Sequence, residues 1–166
     1  EMQRSLVGSE MCIRDRCKMY CGEKNQMYSA LSEELARMYN AAGRREESLA
    51  CHLAVRNQLL KNGYREGSML LMVDNNMSVV YLDLGRPEEA IPYLTEALEL
   101  TKENGLVGSA VAEPTWNLAR VYRALGDEEK EDIYLKAAVE GFRECYPPEH
   151  PKRIAAEQRL KERQGE

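Results

Sequence analysis

The chain has 166 residues, the size of a single domain on the usual prior. Hydrophobic residues make up 43% of it and charged residues 31%, which leaves apolar material for a core beneath a well-solvated surface. The formal net charge of −5 argues against nucleic acid or an anionic membrane as the partner, and no stretch approaches the run of about 18 apolar residues that a membrane-spanning helix needs. The five cysteines are odd in number and follow no disulfide framework, which points to a reducing compartment, the cytoplasm.

Residues 1–16 do not fit the rest of the chain. They show no clean period and carry three acids and three bases. Cys12, Cys17 and Cys21 lie close together, but no second pair at metal-ligand spacing accompanies them, so they read as unrelated thiols rather than a metal site. Residues 17–24 are a ragged lead-in to the regular part of the chain, which is expected to form one domain over 25–166.

From there, three nonapeptides repeat. Leu35 to Gly43, Met77 to Gly85 and Leu118 to Gly126 all read apolar, small, two variable residues, Tyr, three variable residues, Gly. The glycines stand 85 − 43 = 42 and 126 − 85 = 41 residues apart. A period of this size signals stacked structural units. The apolar residue and the Tyr are four apart and share one helix face, while the small residue lets another backbone come close. Gly suits the helix end, where the chain turns through positive φ.

A second amphipathic run comes after each Gly. In the middle unit Pro87 is expected at the first helical position, with Glu88 and Glu89 at the positive end of the helix dipole. Asp127 is expected to cap the corresponding helix of the third unit. Each unit is thus a first helix, a Gly turn and a second helix, over about 25–63, 68–105 and 110–146. Gly63 to Gly67 makes the turn into the second unit, and Pro114 suits an early position in the third first-helix. Leu160 stands 42 residues beyond Leu118, so about 151–164 forms a fourth first-helix. Lys161 fills its small position and would block a packed partner, so the helix is read as a terminal cap.

The pattern resembles the tetratricopeptide repeat. That family wants apolar, small, aromatic, Gly, small, bulky and Ala at fixed positions. The second unit supplies Met77, Ser78, Tyr81, Gly85, Ala90, Leu94 and Ala97. The third supplies Leu118, Ala119, Tyr122, Gly126, Glu131, Leu135 and Ala138, departing only at Glu131. The first supplies Leu35, Ala36, Tyr39, Gly43, Ser48, His52 and Val55, with His52 out of type. The period exceeds the family's usual value of about 34 residues by roughly two helical turns. In this, and in Asn75-Asn76, Pro92 and Pro147-Pro148-Glu149-His150-Pro151, it is similar to the kinesin light chain type. Residues 5–15 resemble a translated sequencing-adapter artefact. One period back from the first unit's second helix lies at about 4–20, and the natural chain is expected to extend upstream.

The resemblance implies an all-α fold, an α-solenoid of about three hairpins plus a C-terminal cap, and a protein-binding function without cofactor or metal. No phosphate loop, His-Glu-x-x-His or Gly-x-Ser-x-Gly occurs, so an enzyme is not expected. His52 reads as a packed or hydrogen-bonded histidine and His150 as a turn residue. In the resembling family the first helices line a concave groove for a peptide or helix. Carried over residue by residue, its positions fall on Glu33, Glu34, Arg37 and Asn40, then Met72, Asn75, Asn76, Val79, Leu82 and Asp83, then Glu113, Trp116, Asn117, Arg120 and Arg123. Arg37, Asn40, Asn75, Asn76, Val79, Trp116, Asn117, Arg120 and Arg123 form the expected peptide site. Asn amides can hold a peptide backbone, and Trp and Arg are common hot-spot residues. Alternatively, Asn75 and Asn76 bond only neighbouring helices, Trp116 fills the core, and Arg120 and Arg123 are a solvated face. Glu33, Arg37 and Glu113 stand where a carboxylate-gripping variant of the family has lysine, asparagine and lysine, so that activity is not expected. The other readings are a structural segment of a longer solenoid and a regulatory domain of a larger protein.

Overall fold

A computed structural model describes residues 26–64 and 68–165, together with Cys12, Asp15, Lys18, Met19 and Gly22. The expectations for the segment 1–24, and for residues 65–67 of the first inter-unit turn, lie outside the described residues. The described chain is all-α. Its helices are α1 (Gln26–Ala41), α2 (Arg45–Lys61), α3 (Ser68–Asp83), a 3-10 turn (Pro87–Ala90), α4 (Ile91–Glu103), α5 (Ser109–Leu125), α6 (Glu128–Cys145) and α7 (Pro151–Gln164). Its contacts separate into two compact units, Glu1–Leu84 and Gly85–Glu166.

The glycine turns form for the reason the pattern gives. Gly43, Gly85 and Gly126 take φ of 75°, 70° and 72°, a region where a side chain would be strained. Around Gly43, the Arg44 amide donates to the Tyr39 carbonyl and the Gly43 amide to the Asn40 carbonyl. Asp127 and Gly126 repeat this on Tyr122 and Arg123. These paired bonds satisfy helix-end carbonyls that water would otherwise have to meet. Two of the turns also bring a cation over a pattern tyrosine. Arg44 lies 4.5 Å from the Tyr39 ring centroid and the Lys130 ammonium 4.9 Å from that of Tyr122. The Asp127 carboxylate accepts from the Lys130 amide at 3.1 Å, so the expected cap is in place.

In the first unit α1 and α2 pack as a hairpin and α3 lies on α2. Leu35, Ala36, Val55 and Leu59 are fully enclosed. The two small pattern positions meet directly: the Ser48 hydroxyl donates to the Ala36 carbonyl at 2.7 Å. In the second unit α4 packs against α5, α5 against α6, and α6 against α7. The α5–α6 crossing is tight, because a Cβ added at Gly141 would stand 2.9 Å from the Ala112 Cβ. Ala112, Ala119, Leu135, Val139, Phe142 and Ala156 form one buried cluster there.

Pro87 and Pro114 fall differently from expectation. Pro87 opens a 3-10 turn, not the α-helix itself, and the Ile91 amide donates back to the Glu88 carbonyl three residues earlier. Pro92 lies inside the second helix of its repeat, in the first turn of α4. It has no N–H to offer the Glu88 carbonyl, which accepts from the Ile91 amide instead. Pro114 is buried well inside α5, because Gly108 lets the helix begin earlier, at Ser109.

Helix α7 is attached mostly by charge. Of its 14 residues only Ala156 is buried, and Leu160 is half-buried against the cluster. Arg159 makes two bonds to Glu131, at 2.7 and 3.0 Å. Arg163 reaches Asp132 at 2.8 Å and Glu128 at 3.3 Å, Lys152 reaches Glu113 at 2.6 Å, and Glu157 accepts from Arg143 at 2.8 Å. The Tyr146 hydroxyl donates to Glu113 at 2.5 Å, and its ring stacks on His150 at 3.8 Å. Burial, and then Glu113, push the Tyr146 phenol up to about 12.

The tight crossing can be tested by filling it. Gly141→Ala should lower stability by about 1–3 kcal/mol through overpacking, less the roughly 1 kcal/mol that Ala gains over Gly in a helix. In an Ala112→Gly background the same change should cost nothing. Equal denaturation shifts in both backgrounds would show that the two helices do not meet there.

The charged attachment of α7 can be tested with acid. Arg163 holds the Asp132 carboxyl below its ordinary range, and Arg143 and Arg153 do the same for Glu157. At Glu113 burial pushes the carboxyl up, but Lys152 and Tyr146 outweigh it and the result is also low. Carboxyls lowered in the fold stabilise it above their ordinary value of about 4 and lose that contribution as pH falls through the lowered values. Amide exchange in α7 should therefore accelerate below about pH 4 before that in α5 and α6. Simultaneous loss in all three helices would contradict this.

Candidate protein-binding surface

In the first unit the expected site residues divide between surface and interior. Arg37 is exposed and paired with Glu34 at 3.0 Å, one turn away on α1. Asn40, on the same helix, has a buried Oδ1 that accepts no hydrogen bond among the described residues. Asn75 and Val79 stand half-buried on α3, one helical turn apart, and Met72 is 41% exposed.

Asn76 is used internally. Its amide donates to Glu33 Oε1 at 2.7 Å, while Glu33 Oε2 lies 2.9 Å from His52 Nδ1. Glu33 and His52 are 2% and 1% exposed. Glu33, carried over as a groove position, is instead a buried junction joining α1, α2 and α3. A buried carboxylate needs hydrogen-bonding partners, and these two side chains supply them. His52 is thus the hydrogen-bonded histidine expected, and its poor fit to the bulky position has a cause. A second polar seam joins α2 to α3: Arg56 Nε donates to the fully buried Asp74 at 2.8 Å. For this pair the sequence discloses only the donor and acceptor types.

In the second unit Trp116 packs against the α5–α6 cluster, edge-on to Phe142 with 6.4 Å between ring centroids. The Asn117 side chain is largely buried and accepts from Arg120 at 3.3 Å. Arg120 is half-buried and Arg123 exposed, one turn apart on α5. Glu113 is occupied by Tyr146 and Lys152. At Glu131 the break in the small-residue rule is visible in the sequence, but its reason is not. The carboxylate is buried and bonded by Arg159 from α7, 28 residues further on.

Among the described residues no group of three or more His, Cys, Asp or Glu side chains is placed to hold a metal ion. No described helix is long and apolar enough to cross a membrane.

These faces belong to a recognised repeat class. The model of the tetratricopeptide repeat matches residues 26–103 and 69–144. The chain belongs to the tetratricopeptide repeat family, and its fold is the α-solenoid of that family. Among solved structures it is similar to a putative kinesin light chain of Podosopora anserina with nearly identical TPR-like repeats. A point-substituted form of that protein matches with a TM-score of 0.80 at 21% identity, over 98% of this chain and 79% of that one. A second crystal structure of the same protein gives a TM-score of 0.78, also at 21% identity. BtubC (BKLC) from P. vanneervenii matches with a TM-score of 0.69 at 18% identity, over 84% of this chain and 64% of that one. No curated protein matches the chain.

Replacing Glu33 tests the buried junction. Glu33→Ala should cost about 1–3 kcal/mol, the usual cost of leaving buried polar groups unmet. Glu33→Gln, which keeps an acceptor oxygen, should cost less. The check is urea denaturation, and an unchanged midpoint for Glu33→Ala would mean that Glu33 ties nothing together.

Proposed function

We propose that the chain is a non-enzymatic protein-interaction module, which holds an extended peptide or a helix against the inner faces of its first helices. The observation that carries the reading is membership of the repeat family over 26–144, on helices whose non-core faces present polar side chains at helical spacing. Arg37 does so on α1, with Asn40 half-buried beside it, Asn75 on α3 beside the apolar Val79, and Arg120 and Arg123 on α5. The partner is a protein or peptide, and the cytoplasm suits the cysteine usage. Two arginines one turn apart suit an acidic residue in the ligand, and asparagine amides suit its backbone. Asn76, Trp116 and Asn117 join this reading through their neighbours, since their own side chains are engaged in the fold.

That engagement favours a second reading, a structural segment of a longer solenoid whose ligand site lies in other repeats. A peptide-library screen separates the two. Wild type should select extended peptides with an acidic residue. Arg120→Glu combined with Arg123→Glu should lose that selection and its salt dependence while remaining folded. Selection of no peptide class, or the same class by both proteins, would leave the structural reading in possession.

A further inference from the structure

Helix α7 covers a face with a definite chemistry. Four carboxylates look toward it, Glu113 from α5 and Glu128, Glu131 and Asp132 from α6, and α7 meets them with Lys152, Arg159 and Arg163. At the centre lies the small apolar cluster of Ala112, Leu135, Val139 and Phe142, into which α7 inserts Ala156 and, less deeply, Leu160. The face is thus an acidic rim around an apolar floor. The complementary pattern is a small residue, then Arg three on, Leu four on and Arg seven on.

The present occupant is held more by charge than by apolar burial. It buries one alanine, whereas α6 buries Leu135, Ala138, Val139 and Phe142. Arg143–Glu157 is partly exposed, as is the Glu128 end of the Arg163 contact, and such pairs contribute little each. Of the four rim carboxylates only Glu131, 3% exposed, is fully enclosed. Elements with little buried apolar area and many exposed polar contacts open locally at low cost.

We propose that this face is a docking surface for basic amphipathic helices, and that α7 is an intramolecular occupant that a partner helix can displace. The surface does not involve Arg120 or Arg123, so it stands or falls independently of the peptide reading above.

The test uses the full chain carrying Arg159→Glu and Arg163→Glu, which repels α7 from the rim. The probe is a fluorescent peptide with the wild-type sequence 151–164. Anisotropy should show the charge-reversed chain binding the peptide at least roughly tenfold tighter than wild type does, because no intact occupant competes. Raising salt to about 1 M should abolish that binding, and a peptide with the same two reversals should not bind. A charge-reversed chain that keeps its helical circular dichroism yet does not bind the wild-type peptide overturns the proposal. Should the unpaired Glu131 unfold the variant, amide exchange on wild type decides. The α7 amides should exchange at least roughly tenfold faster than those of Leu135 to Phe142, and faster still in high salt. Equal protection of α6 and α7 overturns the proposal.

Discussion

A buried carboxylate closes each polar seam within the two units. Glu33 is met by His52 and Asn76, Asp74 by Arg56, and Glu131 by Arg159. In each case the partner comes from another helix, and Asn76, Arg56–Asp74 and Arg159 span the step from one hairpin to the next helix. Apolar contacts between small residues tolerate a slide or rotation at modest cost, since hydrophobic burial is not directional. A buried charge does not, because losing its partner while it stays enclosed costs several kcal/mol. These pairs therefore set which turn of one helix faces which turn of the next, while Leu, Val and Ala side chains supply the driving force for stacking.

This division explains what is legible in the sequence. Helix type, the glycine turns and the core positions follow from local rules that repeat: Leu35, Met77 and Leu118 are all buried, and the three glycines share one φ region. The Asp127 cap is readable for the same reason, being a contact over three residues. The seams are not, because their partners lie 18 to 43 residues apart and belong to no repeating pattern. The trace they leave is a departure from the repeat rule: His52 where a bulky apolar residue belongs, and Glu131 where a small one does. Pro87 and Pro114 depart from expectation because an ideal helix start is a poor guide to them. Pro114 shows that a buried proline can lie well inside a helix that begins earlier.

The same logic bears on the candidate binding face. A family's ligand positions carry over by register, but register fixes only where a Cα lies. Whether the side chain is available depends on its neighbours. Glu33 and Asn76 both hold groove positions by register, yet they bond to each other, and Trp116 turns toward Phe142 instead. Arg37 and Arg123 remain exposed. Availability in this chain thus follows the seams: a polar residue drawn into a buried junction is withdrawn from the surface.

Two neighbouring contacts in the second unit differ in how they are held, and the difference has a physical origin. The α5–α6 crossing is closed by backbone approach at Gly141 and by Phe142, interactions that salt and pH leave almost untouched. The α6–α7 contact rests on guanidinium–carboxylate pairs, most of them partly open to water, whose strength depends on ionic strength and on carboxylate ionisation. Conditions that leave the hairpin intact can therefore change the occupancy of the helix beside it. Arg143–Glu157, Arg163–Glu128 and Arg163–Asp132 stand partly open to water, so the α6–α7 contact depends on salt and pH in a way that the α5–α6 crossing does not.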